Sequence, residues 1–184
     1  MVMPWTTAGL SLVLGSLLTF ASTARAADPP APPASAQITD LPLVRNVAIG
    51  GPTIADWHGQ GLVVHALGGQ EPTLRPASEF DPVARVGWNQ DGVLLQVEVT
   101  DSTPEEARDL DHLYQGDSVD LQLMSDKPSD GMVQVVASPG RTAEAPALRM
   151  QTFDYRDEKL KAAAPAIKPR GSVHQTAQGY LLDM

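Results

Sequence analysis

Residues Val83 to Thr100 constrain this chain more than any other stretch, because two alternating segments flank Asn89-Gln90-Asp91-Gly92, a run of turn-forming residues. Ala84, Val86 and Trp88 share one face of the first segment; Val93, Leu95, Val97 and Val99 share one face of the second. Arg85, Gln96 and Glu98 alternate with them and should point outward. A period of two on both sides of a tight turn specifies an antiparallel hairpin. The rest of the domain must then supply a second apolar surface to cover it.

The remaining sequence reads in the same way, as short apolar runs broken by Gly, Pro, Asn and Asp. A strand is expected from about Asp117 to Met124, with Val119, Leu121 and Leu123 inward and Ser118, Asp120 and Gln122 outward. Another is expected over Met132 to Ala137. Weaker candidates are Leu62 to Ala66, Ala147 to Phe153, Ser172 to Ala177 and Gly179 to Met184. Two short helices are predicted. One starts at Thr103-Pro104-Glu105-Glu106, with Thr as N-cap and Pro in the first position; the other runs from Asp157 to Ala164 and is closed by Pro165. The fold class expected is an all-β antiparallel sandwich. Because the sequence stops at Met184 inside an alternating run, the final strand is expected to leave an open sheet edge, as in a domain whose last strands are missing.

The start of the chain reads as an export signal. Leu10 to Ala21 is an uncharged run, and Ala24-Arg25-Ala26 offers small residues two apart, so cleavage is expected after Ala26. The run is shorter than the roughly 20 apolar residues that span a membrane core, and no later segment approaches that length. Its n-region lacks Lys and Arg. The Pro/Ala-rich stretch at 27–37 should be an extended spacer, with the folded domain from 38 to 184. Without the signal, 158 residues remain, one domain's worth of chain. There is no cysteine, which rules out thiolate zinc sites, thiol nucleophiles and CxxCH haem attachment. Twelve basic residues against 22 acidic ones in that portion argue against nucleic acid and anionic membranes as partners.

Chemistry-bearing constellations are sparse. No Gly-x-Ser-x-Gly or Ser-x-x-Lys motif occurs; His58 and His65 meet only if the intervening loop folds back, while His112 and His174 read as loop and surface residues. Gly50-Gly51-Pro52 and Gly68-Gly69 read as turns rather than phosphate cradles. Asp101, Asp109, Asp111, Asp117 and Asp120 crowd one stretch, which raises paired-acid glycoside hydrolysis and, at Asp101, calcium binding. Strand-end and loop capping explains the same acids. The most informative segment is Leu113-Tyr-Gln-Gly-Asp-Ser-Val-Asp-Leu-Gln-Leu, where Tyr114 leads into a strand whose outward face carries Asp120 and Gln122, with Gln134 on the next strand. A flat ring beside hydrogen-bonding groups suits a sugar: the ring covers the C–H face and the polar groups take the hydroxyls. One ring covering roughly 50 Å² contributes only about 1 kcal/mol.

Three of these segments in order resemble the family 9 carbohydrate-binding modules: Val86-Gly-Trp-Asn-Gln-Asp-Gly-Val-Leu-Leu-Gln-Val-Glu-Val-Thr-Asp, Gln115-Gly-Asp-Ser-Val-Asp-Leu and Gly179-Tyr-Leu-Leu-Asp, with Ile49-Gly-Gly-Pro-Thr-Ile-Ala-Asp-Trp similar to the family's opening motif. The resemblance covers about residues 47 to 184. It implies a jelly-roll-like β-sandwich with a rim-bound polysaccharide or oligosaccharide. Tyr114 matches the family's site aromatic, Asp120 its sugar-binding Glu, and Trp57 and Trp88 its structural tryptophans. It places the second site aromatic in strands beyond Gly179-Tyr180. It also implies a non-catalytic, secreted or periplasmic module, attached to a glycoside hydrolase or an outer-membrane protein. A cell-envelope structural or protein-binding domain of the same fold is the alternative. Haem, bound by some relatives, would need axial ligands for which Met132, Met150 and His174 make a poor set.

Overall fold

The computed structural model describes residues 10–13, 41–50, 54–65, 76–124, 127–163 and 166–184. Most of the signal-like segment, the spacer at 27–37, the domain start at Ile38, Gly51-Pro52, Gly68-Gly69 and the Ala164-Pro165 helix end lie outside them.

The strands are β1 (Leu10–Val13), β2 (Leu62–Val64), β3 (Phe80–Asn89), β4 (Gly92–Asp101), β5 (Val119–Met124), β6 (Met132–Ser138), β7 (Arg149–Asp154), β8 (Ser172–Gln175) and β9 (Gly179–Asp183). The β3–β4 hairpin forms in the register its turn dictates, Asn89 opposite Gly92 through Phe80 opposite Asp101. It sits inside a five-stranded antiparallel sheet of order β2-β3-β4-β9-β8. The second sheet is β5-β6-β7, with Leu10–Val13 paired along the other side of β5.

The two sheets face each other. Ala84, Val86, Leu95, Val97, Val99, Tyr180 and Leu182 of one pack with Val119, Leu121, Val133, Val135 and Ala137 of the other. These are the inward residues of the alternating pattern, and burying each large aliphatic side chain contributes about 1.5–3 kcal/mol. The chain is thus an all-β sandwich-like fold, as the alternation requires.

Four expectations need correction. The final strand is not an edge: β9 lies between β4 and β8, and Met184 exchanges both backbone hydrogen bonds with Leu95. The open-edge argument therefore has no basis in the fold. Trp88 has inward parity but is 45% exposed, because it stands at the hairpin tip; its indole donates to the Leu41 carbonyl at 2.9 Å. Leu94, on the outward parity of β4, is buried instead, in a second cluster with Val44, Val47 and Trp57. The segment from Leu41 covers that face, and Gly87 admits it: a Cβ there would lie 2.6 Å from Val44 Cγ1.

The fourth correction is the helix expected from Thr103. No helix starts there; Thr103 N donates to Asp101 at 3.1 Å and Glu105 N to Asp117 at 2.7 Å, while the Glu106 carboxylate reaches Gly140 N and Arg141 N instead of turning back to the Thr103 N–H as a capping box requires. A 3₁₀ segment follows instead at Leu110–Gln115, capped by Asp109, whose side chain accepts from Asp111 N. The second helix forms as α1 (Glu158–Ala163), with Asp157 accepting from Lys159 N at 2.9 Å.

Candidate functional site

Opposed residues in an antiparallel ladder project from the same face. On β5, β6 and β7 the outward rows are therefore Gln122–Gln134–Phe153, Asp120–Val136–Gln151 and Ser138–Arg149. Asp120, Gln122 and Gln134, expected together from the sequence, do converge. Gln134 Nε2 donates to Asp120 Oδ2 at 2.5 Å. Burial pushes the Asp120 carboxyl above its ordinary range, and the amides of Gln134 and then Gln122 pull it partly back.

Asp120 is 9% exposed, and its Oδ1 has no hydrogen-bond partner among the described residues. Arg149 Nε and Gln151 Oε1, on the same face, share that condition. Three polar atoms on this face are thus desolvated without a partner among the described residues, two acceptors and one donor, at a cost of about 1–3 kcal/mol each.

Aromatic surface borders this strip. Phe153 stacks on Tyr155 at 6.3 Å with their planes 7° apart, and Tyr155 is 54% exposed. At the other end the 3₁₀ segment docks on β6 and β7, where Gln151 Nε2 donates to Asp111 Oδ1 at 3.0 Å. Leu113, on this segment, is buried, as is Val136 on the outward face beneath. Tyr114 is exposed and meets His112 edge to face at 5.8 Å.

Sequence reasoning missed Gln151, Phe153 and Tyr155. The signal was present, since Arg149, Gln151, Phe153 and Tyr155 alternate, but the pattern resembled a weak strand with no assigned faces. Phe153 and Tyr155 thus supply aromatic surface at the end of β7.

Asp101 belongs elsewhere. It is fully buried at the end of β4, where Oδ2 accepts from Arg141 Nη1 at 2.7 Å and Oδ1 from Thr103 N. With both oxygens engaged, one by a guanidinium, it does not offer calcium a ligand, and among the described residues no three carboxylates or histidines are grouped to hold a metal. A polar hollow of about 500 Å³ opens beside it, lined by Ser78, Thr100, Ser102 and Gln178, but its two charged groups, Asp101 and Arg141, satisfy each other. His58 and His112 pair with the exposed neighbours Asp56 and Asp109, and His174 is exposed on β8. Among the described residues no helix is long and apolar enough to cross a membrane.

Comparison with protein-family models, curated proteins and solved structures returns no match.

Proposed function

We infer that this protein is an exported, non-catalytic carbohydrate-binding module, and that it holds a neutral oligosaccharide or polysaccharide on the outward face of β5, β6 and β7. The observation that carries this reading is the polar strip of Asp120, Gln122, Gln134 and Gln151 on one sheet face, bordered by the Phe153–Tyr155 stack. A sugar ring offers both surfaces such a face wants. Its C–H face lies on an aromatic ring, while its hydroxyls donate to Asp120 and Gln151 and accept from Arg149.

A binding role is favoured over hydrolysis by the arrangement of the acids. Asp101 and Glu106 are each tied to a guanidinium, that of Arg141 and that of Arg149, which leaves neither free to serve as the acid or the nucleophile of a glycosidase pair. The resemblance to family 9 modules agrees with the placement of Asp120, and the leader-like start of the chain supports export to the periplasm or beyond. A linked hydrolase or envelope protein would give such a module its use.

Affinity electrophoresis in gels containing soluble glucans or xylans tests the reading. Retardation is expected for at least one polysaccharide, with Tyr114→Ala and Asp120→Ala each abolishing it. If no polysaccharide retards the protein, the reading fails, and the alternative of an envelope structural or protein-binding domain takes its place.

A further inference from the structure

The segment Ser102–Ser118, which carries Tyr114, is fastened to the sandwich by buried Leu113 and by a set of carboxylates. Glu106, whose side chain is 1% exposed, accepts from Gly140 N and Arg141 N at 2.9 Å each, from Arg149 Nη2 at 3.0 Å and from Ser138 Oγ. Asp117 closes the neck of the segment on itself. Its backbone N–H donates to the Glu105 carbonyl at 2.5 Å, and its side chain accepts from Glu105 N at 2.7 Å. Gly116 permits this closure, because a Cβ there would lie 2.3 Å from Ala107 N.

The charges at this neck do not balance. Three carboxylates, Asp101, Glu106 and Asp117, face two guanidiniums: Arg141 is held by Asp101 and Arg149 by Glu106. Tyr180 of β9 completes the surroundings, with Arg141 lying 5.9 Å from its ring centroid, and burial keeps its hydroxyl protonated. Asp117 has no guanidinium partner among the described residues, and its carboxyl sits beside that of Asp101, the two accepting from Glu105 N at 2.7 Å and from Thr103 N at 3.1 Å. Two carboxylates set side by side away from water resist being charged together, so one of them takes up a proton.

We propose that the Asp101–Asp117 carboxyl pair is a proton-dependent latch: protonated, it closes the Ser102–Ser118 segment and presents Tyr114 to the sugar face; deprotonated, it releases the segment. The statement about Tyr114 rests on the sugar-binding reading; the latch itself does not. Burial first, then the negative charges of Asp101 and Glu106, raise Asp117 to about 7 against the pull of Glu105 N, so the transition falls near neutrality. The sign follows from proton linkage. The closed form holds a proton that the released carboxylate, with an ordinary value near 3.8, has lost, so rising pH favours release from about pH 4 up to about 7 and has no further effect above that.

Hydrogen exchange of the intact protein, followed by NMR and corrected for intrinsic rates, tests the latch without any ligand. Protection of the Thr103, Glu105 and Asp117 amides should fall about thirtyfold between pH 5.5 and 8. Asp117→Asn reproduces the protonated form, since its amide donates to Asp101 while its oxygen accepts from Glu105 N. It should remove the pH dependence and keep the segment protected at pH 8. Protection that stays constant in the wild type, or that falls equally in Asp117→Asn, overturns the proposal; a ¹³C titration of the Asp117 carboxyl near its ordinary range would do so even if the variant failed to fold. Retardation by a polysaccharide, measured in parallel at both pH values, should weaken at pH 8 in the wild type only. Loss of retardation at every pH with the exchange result intact defeats the sugar reading and leaves the latch standing.

Discussion

Replacing Glu106 by Ala would remove one buried carboxylate that serves four donors at once: two backbone N–H groups, a guanidinium and a hydroxyl. Breaking a buried ion pair from one side costs about 3–5 kcal/mol, because the surviving charge stays desolvated. Arg149 is 20% exposed and can recover some water, whereas Gly140 N and Arg141 N lose their acceptor at about 1–3 kcal/mol each. The two effects overlap, so the expected loss is about 4 kcal/mol. For a domain of this size that lowers Tm by roughly 8–16 °C. Urea unfolding followed by far-UV circular dichroism measures it as a lower midpoint at unchanged slope. Glu106→Gln keeps an oxygen for the two backbone donors but loses the charge facing Arg149, and should cost about half as much. A Glu106→Ala loss below about 1 kcal/mol would mean that the carboxylate is solvated and does not fasten the segment.

The two tryptophans should behave oppositely: Trp57→Ala is expected to cost about 3–5 kcal/mol because its ring is 3% exposed in the second cluster, while Trp88→Ala at the exposed hairpin tip should cost under about 1.5 kcal/mol, both read from urea midpoints. Stability should decline as pH rises from 4 to 7. Burial raises Asp117, Asp120 and Asp183 above their unfolded values, so the folded state binds more protons in this window and is favoured at its acid end; Asp117→Asn should flatten the decline, measured as the urea midpoint against pH. Asp154 acts in the opposite sense further down. The Arg156 side chain depresses its carboxyl to about 2, so its contribution is present above about pH 4 and is lost as pH falls through 2, which Asp154→Asn should abolish.

Much of the fold was legible because its strands obey a strict period of two. The β3–β4 register, the inward set on β5, and the short helix after Asp157 all follow from local pattern and turn chemistry. What local pattern does not reveal is which strands become neighbours. The insertion of β9 between β4 and β8, which removes the supposed open edge, is a long-range pairing that no window around Gly179 encodes. Trp88 had the right parity but a position at the sheet's end, and burial depends on both. The same division runs through the site. Parity put Asp120 and Gln122 on one face, with Gln134 beside them, but only the sheet order brings Gln151 and Phe153 into line with them. Thr103-Pro104-Glu105-Glu106 carried a sound helix-start signal, but the Glu106 carboxylate serves Gly140 N and Arg141 N across the fold rather than the Thr103 N–H.

The central claim is that one sheet face, β5 to β7, is where a sugar binds. Titrating ¹⁵N-labelled protein with short oligosaccharides of the retarding polysaccharide, and mapping the backbone and side-chain amide shifts, tests it most directly. The account predicts saturable shifts confined to Tyr114, Asp120, Gln122, Gln134, Gln151, Phe153 and Tyr155, with the Gln side-chain amides moving most. Shifts clustered instead around the Asp101–Arg141 hollow or the exposed Leu43–Trp88 surface, or no shifts with any sugar, would contradict it.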